Sequence, residues 1–171
     1  MYNLDAYDAA MAKYHQEINC KIIPVISWDF HHESLNDLRS NYYDWQKVHH
    51  IANRFHWDDS EFDVLDRLKE EVVVITDLKQ KIVFASSRIL NMTGYTEVEV
   101  LGKSPKMFQG PETSSVVKEE IRLAIKSHET FEKTILNYKK NGDTYFCTIN
   151  AFPVFSLKGK LTHFIAFEKA A

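Results

Sequence analysis

The chain is short of the residues that punctuate structure: its 171 positions include five glycines, four prolines and two cysteines. All five glycines lie at Gly94 or beyond, which concentrates tight turns in the second half and leaves the first third to helices. Cys20 and Cys147 make no disulfide framework and read as free thiols in a reducing compartment. Basic residues are not in excess: 21 Lys and Arg stand against 24 Asp and Glu, a net charge of −3, and no basic patch interleaved with aromatics appears. That balance excludes a nucleic-acid surface, which needs a concentrated basic face. No apolar run is long enough to span a bilayer. The opening MYNLDAYDAAMAKYHQEIN has early acids and no apolar h-region, so it is not a signal peptide. The expectation is a cytoplasmic protein with no membrane partner. Repeats and low-complexity tracts are also missing. So are a nucleophile elbow, a glycine phosphate loop, HExxH and any kinase or cyclase signature, which argues against an enzyme.

What is present is 44% hydrophobic and 13% aromatic residues, enough for one domain with a sizeable core and an extension. Residues 4–18 carry Leu4, Tyr7, Met11, Tyr14 and Ile18 at helical spacing. Lys21–Phe30, interrupted by Pro24, reads as extended. Ser34 is a good N-cap for a helix to about Phe55, with one apolar stripe from Leu35 through Leu38, Tyr42, Trp45, Val48 and Ala52. Asp58-Asp59-Ser60 would cap a helix over Glu61–Glu70 with Phe62, Leu65 and Leu68 inward.

Beyond residue 70 the pattern changes. Val72–Thr76 is β-branched and reads as a strand buried on both sides, paired as a hairpin with Ile82–Ala85. Short helical pieces over Arg88–Met92, Thr96–Leu101 and Ser104–Phe108 precede a longer helix from about Thr113 to Ser127, with Val116, Val117, Ile121 and Ile125 inward. Strands Phe131–Lys139, Thr144–Phe155 and Leu161–Glu168 follow, joined by turns at Asn141-Gly142 and Lys158-Gly159-Lys160. Their alternation puts Ile135, Asn137, Cys147, Ile149, Ala151, Phe164, Ala166 and Glu168 on one face. Leu136, Tyr138, Phe146, Phe152, His163, Ile165 and Phe167 take the other. A sheet apolar on both faces needs two covers: the short helices for the first, and the N-terminal helices or a second copy for the other. The layout is α+β, with helices segregated to one side of a five-stranded antiparallel sheet.

The segments VVVITD, IVFASSRILNMTGY, VLGKSPKMFQGPET, IRLAI, ILNYKKNGDTYFC and HFIAFE, in this order and spacing, resemble a PAS domain. Within that family they are most similar to the light-oxygen-voltage (LOV) flavin subclass. The resemblance implies a PAS fold over 71–171, after an N-terminal helical extension at 1–70 serving as cap or dimerisation element. It also implies a cofactor-binding set of Lys106, Gln109, Arg122, Asn137, Cys147 and Glu168. The departures are informative. The photoactive cysteine of the subclass falls on Pro105, so no flavin adduct forms there, and the residue before it is Ser104. The two phosphate-binding arginines are matched by Lys106 and Arg122, the latter conserving the fork and the former not. Gln109 and Asn137 keep their amides, whereas Cys147 and Glu168 stand where amides are usual. A flavin edge presents donors and acceptors together, which amides satisfy and an ionised carboxylate does not.

Each of these residues has a plainer reading. Gln109, Asn137 and Glu168 can form a self-satisfied buried network, Cys147 a small hydrophobe, and Lys106 and Arg122 solvated helix charges. The adjacent pairs His31-His32 and His49-His50 do not share a helix face, and His31, His32 and His56 could meet only through tertiary folding, so packing is favoured over metal binding; His128, at the end of the longer helix, lacks a supporting haem pattern. The expectation is therefore a stand-alone sensory or protein-interaction module in signal transduction. It is read as a homodimer through the N-terminal helices or the outer sheet face, with an unidentified signalling partner. The alternative is a cysteine-less LOV-like flavoprotein that binds FMN and senses light or redox state.

Overall fold

The computed structural model describes residues 26–57 and 62–170, with side chains from residue 35 onward. The helix expected over 4–18 and the cap expected at Asp58-Asp59-Ser60 lie outside the described residues. The chain divides into two compact units, Met1–Asn36 and Asp37–Ala171. Of the first, the described part is the opening of helix α1 (Ile26–Phe55). That boundary corrects the sequence reading twice. Ile26–Phe30 is helical rather than extended, and Ser34 lies inside the helix rather than at its cap. Proline restricts the residue before it, so Pro24 leaves the residues after it free to enter a helix.

Within the second unit, α1 presents Val48 and Ala52, fully buried, with Trp45 and Ile51 beside them. The earlier part of the expected stripe is exposed, with Leu38 at 56%. Helix α2 is a single turn, Val64–Arg67, entered through Asp63 in a left-handed conformation (φ 46°). Val64 and Leu68, four apart on one face, are buried. Leu65, expected inward, is rotated off that face and is 43% exposed.

Strands β1 (Val72–Asp77) and β2 (Ile82–Ala85) form the hairpin. Helices α3 (Ile89–Thr93) and α4 (Glu97–Val100), a 3-10 turn (Pro105–Phe108) and helix α5 (Ser115–Ser127) follow. Strands β3 (Phe131–Tyr138), β4 (Thr144–Phe155) and β5 (Leu161–Ala170) complete an antiparallel sheet of order β2-β1-β5-β4-β3. Helix α4 opens with a capping box in which Glu99 accepts from the Thr96 amide at 2.9 Å. Ser114 caps α5 by accepting from the Val117 amide at 3.4 Å, and His128 ends it at φ 58°. Val117, Ile121 and Ile125 lie four apart and half-buried; Val116, one position away from that row, is 65% exposed instead of inward.

The sheet separates two cores. On one side Val72, Val74, Ile135 and Cys147 pack with Ile89, Val100 and Phe108. On the other, Val73, Ile75, Phe84, Ile165 and Phe167 pack with Val48, Ala52, Val64 and Leu68. The central strands β1 and β5 therefore carry apolar side chains on both faces. Polar contacts fix α1 to its cover position. Asp44 accepts from the Ser87 amide at 2.6 Å, Lys47 donates to Glu97 at 2.6 Å, and the Leu157 amide donates to the His56 carbonyl at 2.7 Å. The cover stops short of the β3 side, where Phe146 is 56% exposed. Tyr138, expected on that outer face, turns over the sheet edge, where its hydroxyl accepts from the Glu112 amide at 3.1 Å.

Candidate functional site

The inner side of the sheet, the 3-10 turn and α5 enclose a cavity of about 100 Å³. Each wall follows from local sequence. Pro105 suits the first position of the turn, and Ser104 caps it by accepting from the Lys106 amide at 3.5 Å. The turn lays Pro105, Phe108 and Gln109 over the sheet. Alternation along the strands supplies the floor: Asn137 from β3, Ile149 from β4, Ala166 and Glu168 from β5. Ile121 and Ile125 close the α5 side.

Three of the six residues expected at a cofactor site, Gln109, Asn137 and Glu168, line this cavity. Cys147 is fully buried beside it, its Sγ 3.8 Å from Glu168 Oε2. Lys106 and Arg122 are exposed and are not among the lining residues; Arg122 donates twice to Glu119, at 2.8 and 2.5 Å. Pro105 lines the cavity and presents an inert ring to it.

Sequence reasoning passed over Thr76, Gln80 and Tyr145. Gln80 occupies the β1–β2 turn with φ 57°, a left-handed position uncommon for glutamine. Its Nε2 is buried without an acceptor, and the residue lines the cavity. No sequence pattern announces that placement. Tyr145 was legible: it lies two residues before Cys147 on β4, so alternation puts it on the same face. It stands opposite Asn137 in the β3–β4 register, and its buried hydroxyl lacks a well-formed hydrogen bond.

The electrostatics are those of a buried acid. Glu168 is 6% exposed, and burial pushes its carboxyl up to about 7, opposed by the hydrogen bond from Cys147. Burial first, then the nearby Glu168 carboxylate, drives the Cys147 thiol well above its ordinary range. Tyr145 is raised chiefly by burial, with Cys147 and Glu168 adding to it. Thiol and phenol are therefore neutral at ordinary pH, and Glu168 is the group that titrates. A larger, more open groove of about 590 Å³ is lined by Phe55, Leu157 and Leu161 together with Arg54, Lys158 and Lys160. It brings together no buried polar groups comparable to those of the inner cavity. Among the described residues, no cluster of three or more His, Cys, Asp or Glu could hold a metal ion, and no helix is long and apolar enough to cross a membrane.

Comparison with known proteins agrees with this architecture. The chain is 42% identical over 88 residues to Protein TWIN LOV 1 of Arabidopsis thaliana, covering 51% of this chain and 22% of that protein. It is 38% identical over 99 residues to a blue-light-activated histidine kinase of Rhizobium johnstonii, covering 56% of this chain and 29% of the kinase. The chain thus spans less than a third of the length of these curated relatives. Among solved structures, a light-oxygen-voltage domain studied with a flavin analogue superposes with a TM-score of 0.60 at 26% identity, covering 67% of this chain and 88% of that one. The light-state LOV domain of the photoreceptor Aureochrome1 gives 0.58 at 28% identity, covering 61% and 84%. The family model for the PAS domain matches residues 70–169, more than half of the chain, and the chain belongs to the PAS domain family.

Proposed function

We propose that this PAS sensory module reads the state of its inner cavity and reports it through α1 and the outer sheet face, acting as a homodimer or on a partner protein. The observation that carries this reading is the double use of β5. Phe164, Ala166 and Glu168 line the cavity, while the residues between them, Ile165 and Phe167, lie in the outer core with Val48 and Ala52 of α1. A shift of β5 on one side displaces packed groups on the other, because close-packed interiors transmit small displacements. Apolar side chains left exposed on the reporting surface, Leu38 and Tyr42 on α1 and Phe146 on β4, are where a second copy would bury area.

The cavity and its surroundings do not fit the flavin of the LOV subclass. The cavity is about 100 Å³, whereas ligands of drug size occupy roughly 300–1,000 Å³. Lys106 and Arg122 stay outside it, Arg122 already paired with Glu119. Ionised, Glu168 offers acceptors alone where a flavin edge needs donor and acceptor together. Signalling through a flavin adduct is therefore set aside in favour of protein contacts.

Sedimentation equilibrium at micromolar concentration, with an absorbance spectrum of the same sample, tests the proposal. The expected result is a colourless dimer that Leu38→Glu or Phe146→Glu dissociates. A monomer at that concentration overturns the dimer output. A bound chromophore absorbing at about 450 nm, the region of oxidised flavin, overturns the reading of the cavity.

A further inference from the structure

We infer that the inner cavity recognises a small nitrogenous ligand, smaller than a benzene ring, that presents a cationic or N–H-donating head to Glu168. This rests on reading the cavity as the sensing site and adds the chemistry of what is sensed.

Charge is the first argument. Among the described residues lining the cavity, Glu168 is the one ionisable side chain, and it is almost completely buried. The donor near it is the Cys147 thiol at 3.8 Å, a weak one. A carboxylate buried with so little compensation is costly, and an ammonium or amidinium head would supply a charge-assisted hydrogen bond. A phosphate or carboxylate ligand would meet repulsion instead.

The second argument is the unsatisfied amide across the cavity. Gln80 Nε2 is buried without an acceptor, in a turn residue whose left-handed backbone (φ 57°) turns it into the fold. An acceptor on the ligand would meet it. The remaining walls are mainly apolar, with Val74, Phe108, Ile135 and Phe164 enclosing a hydrocarbon body, and Thr76, Gln109 and Asn137 add neutral polar groups. A volume near 100 Å³ sets the size: an apolar cavity that takes benzene is larger, roughly 150 Å³, so the ligand is a short aliphatic amine of a few heavy atoms.

The other groups facing Glu168 do not confuse its titration. β4 contributes Cys147 and Tyr145, both held neutral by burial. In the sheet, Glu168 stands opposite Val72 of β1 and Ile149 of β4, and α5 contributes Ile121 and Ile125. Affinity for a permanently protonated amine therefore follows the ionised fraction of Glu168 and rises with pH.

Isothermal titration of the full 171-residue chain with propylamine, n-propanol and propionate tests this at pH 6 and pH 8. Propylamine is expected to bind at pH 8 and about tenfold more weakly at pH 6, the ratio of ionised carboxylate for a group titrating near 7. Propanol should bind weakly and without pH dependence, and propionate not at all. Glu168→Gln should abolish the preference for propylamine over the alcohol, and Ala166→Leu, which fills the cavity, should abolish both. The inference is overturned by propionate binding as well as propylamine, by propylamine affinity that both variants leave unchanged, or by no propylamine binding at millimolar concentration. In the last case an intact dimer keeps the sensory reading and removes this ligand class. A monomer that binds propylamine does the reverse.

Discussion

Replacing Glu168 by glutamine should make the protein more stable at alkaline pH and leave it nearly unchanged in mild acid. The carboxyl lies 6% exposed between β1 and β4, and burial raises it from an ordinary 4.5 to about 7. The sign follows from linkage. An acid that holds its proton more tightly in the folded state than in the unfolded one binds more protons when folded, so stability falls as pH rises. The loss begins near the unfolded value of 4.5, runs through the folded value of about 7 and is complete above it. At about 1.4 kcal/mol per unit, the cost reaches roughly 3 kcal/mol at pH 8 and stays below about 1 kcal/mol at pH 5. Glutamine keeps the shape and cannot ionise.

Urea unfolding of wild type and Glu168→Gln, at pH 5 and pH 8, reads the difference directly. The variant should gain about 2 kcal/mol on the wild type between the two conditions. Subtraction matters because His163 works in the opposite direction. Burial lowers its affinity for a proton, despite Asp77, so its contribution is destabilising in acid and is relieved as pH rises towards 6.5. That contribution is common to both proteins and cancels. A stability difference between the two that does not change with pH would refute the assignment of Glu168 as a buried acid.

Two further outcomes test the cover and the rim of the site. Asp44→Ala removes the 2.6 Å acceptor of the Ser87 amide from an almost fully buried position. Thermal unfolding should show a loss of about 1–3 kcal/mol, and hydrogen exchange should show α1 opening first. Gly110→Ala would drive a Cβ into three Tyr138 ring atoms, with Cδ2 at 2.6 Å, Cζ at 2.8 Å and Cε2 nearer still; the expected cost is about 1–3 kcal/mol, and Tyr138→Ala in the same chain should recover much of it in a double-mutant cycle.

The strand pattern of the second half was readable, Tyr138 apart, because period-two alternation is a short-range property. The residues assigned to the inner face from Ile135 to Glu168 are those that pack in the inner core or line the cavity. The α1 start was not readable, because Pro24 suggests extension while restricting only the residue before it. Leu65 and Val116 failed for a common reason. Apolar identity was taken as inward orientation, but on helices of one to three turns the buried face is set by Val64–Leu68 and by Val117–Ile121–Ile125, and neither Leu65 nor Val116 lies on it. Tyr138 departs from strict alternation because it sits at the end of an edge strand, where a ring can fold over the rim against Gly110.

At the site, sequence position identified Gln109, Asn137 and Glu168 but could not separate lining residues from solvated ones, and Lys106 and Arg122 fell on the solvent side. Gln80 escaped altogether, since its contribution depends on one left-handed turn residue. The combination carries a consequence for signalling. Glu168 destabilises the fold when ionised, and it does so on the strand that also supports Phe167 beneath α1. A contribution of roughly 3 kcal/mol is a factor of about a hundred in an equilibrium constant. Any event that neutralises Glu168, a proton or a cationic head alike, can therefore bias the packing of β5 against α1 by that order. An amide at the same position would hydrogen-bond a ligand without storing this difference. The carboxyl at position 168 thus gives the strand two protonation states of different energy.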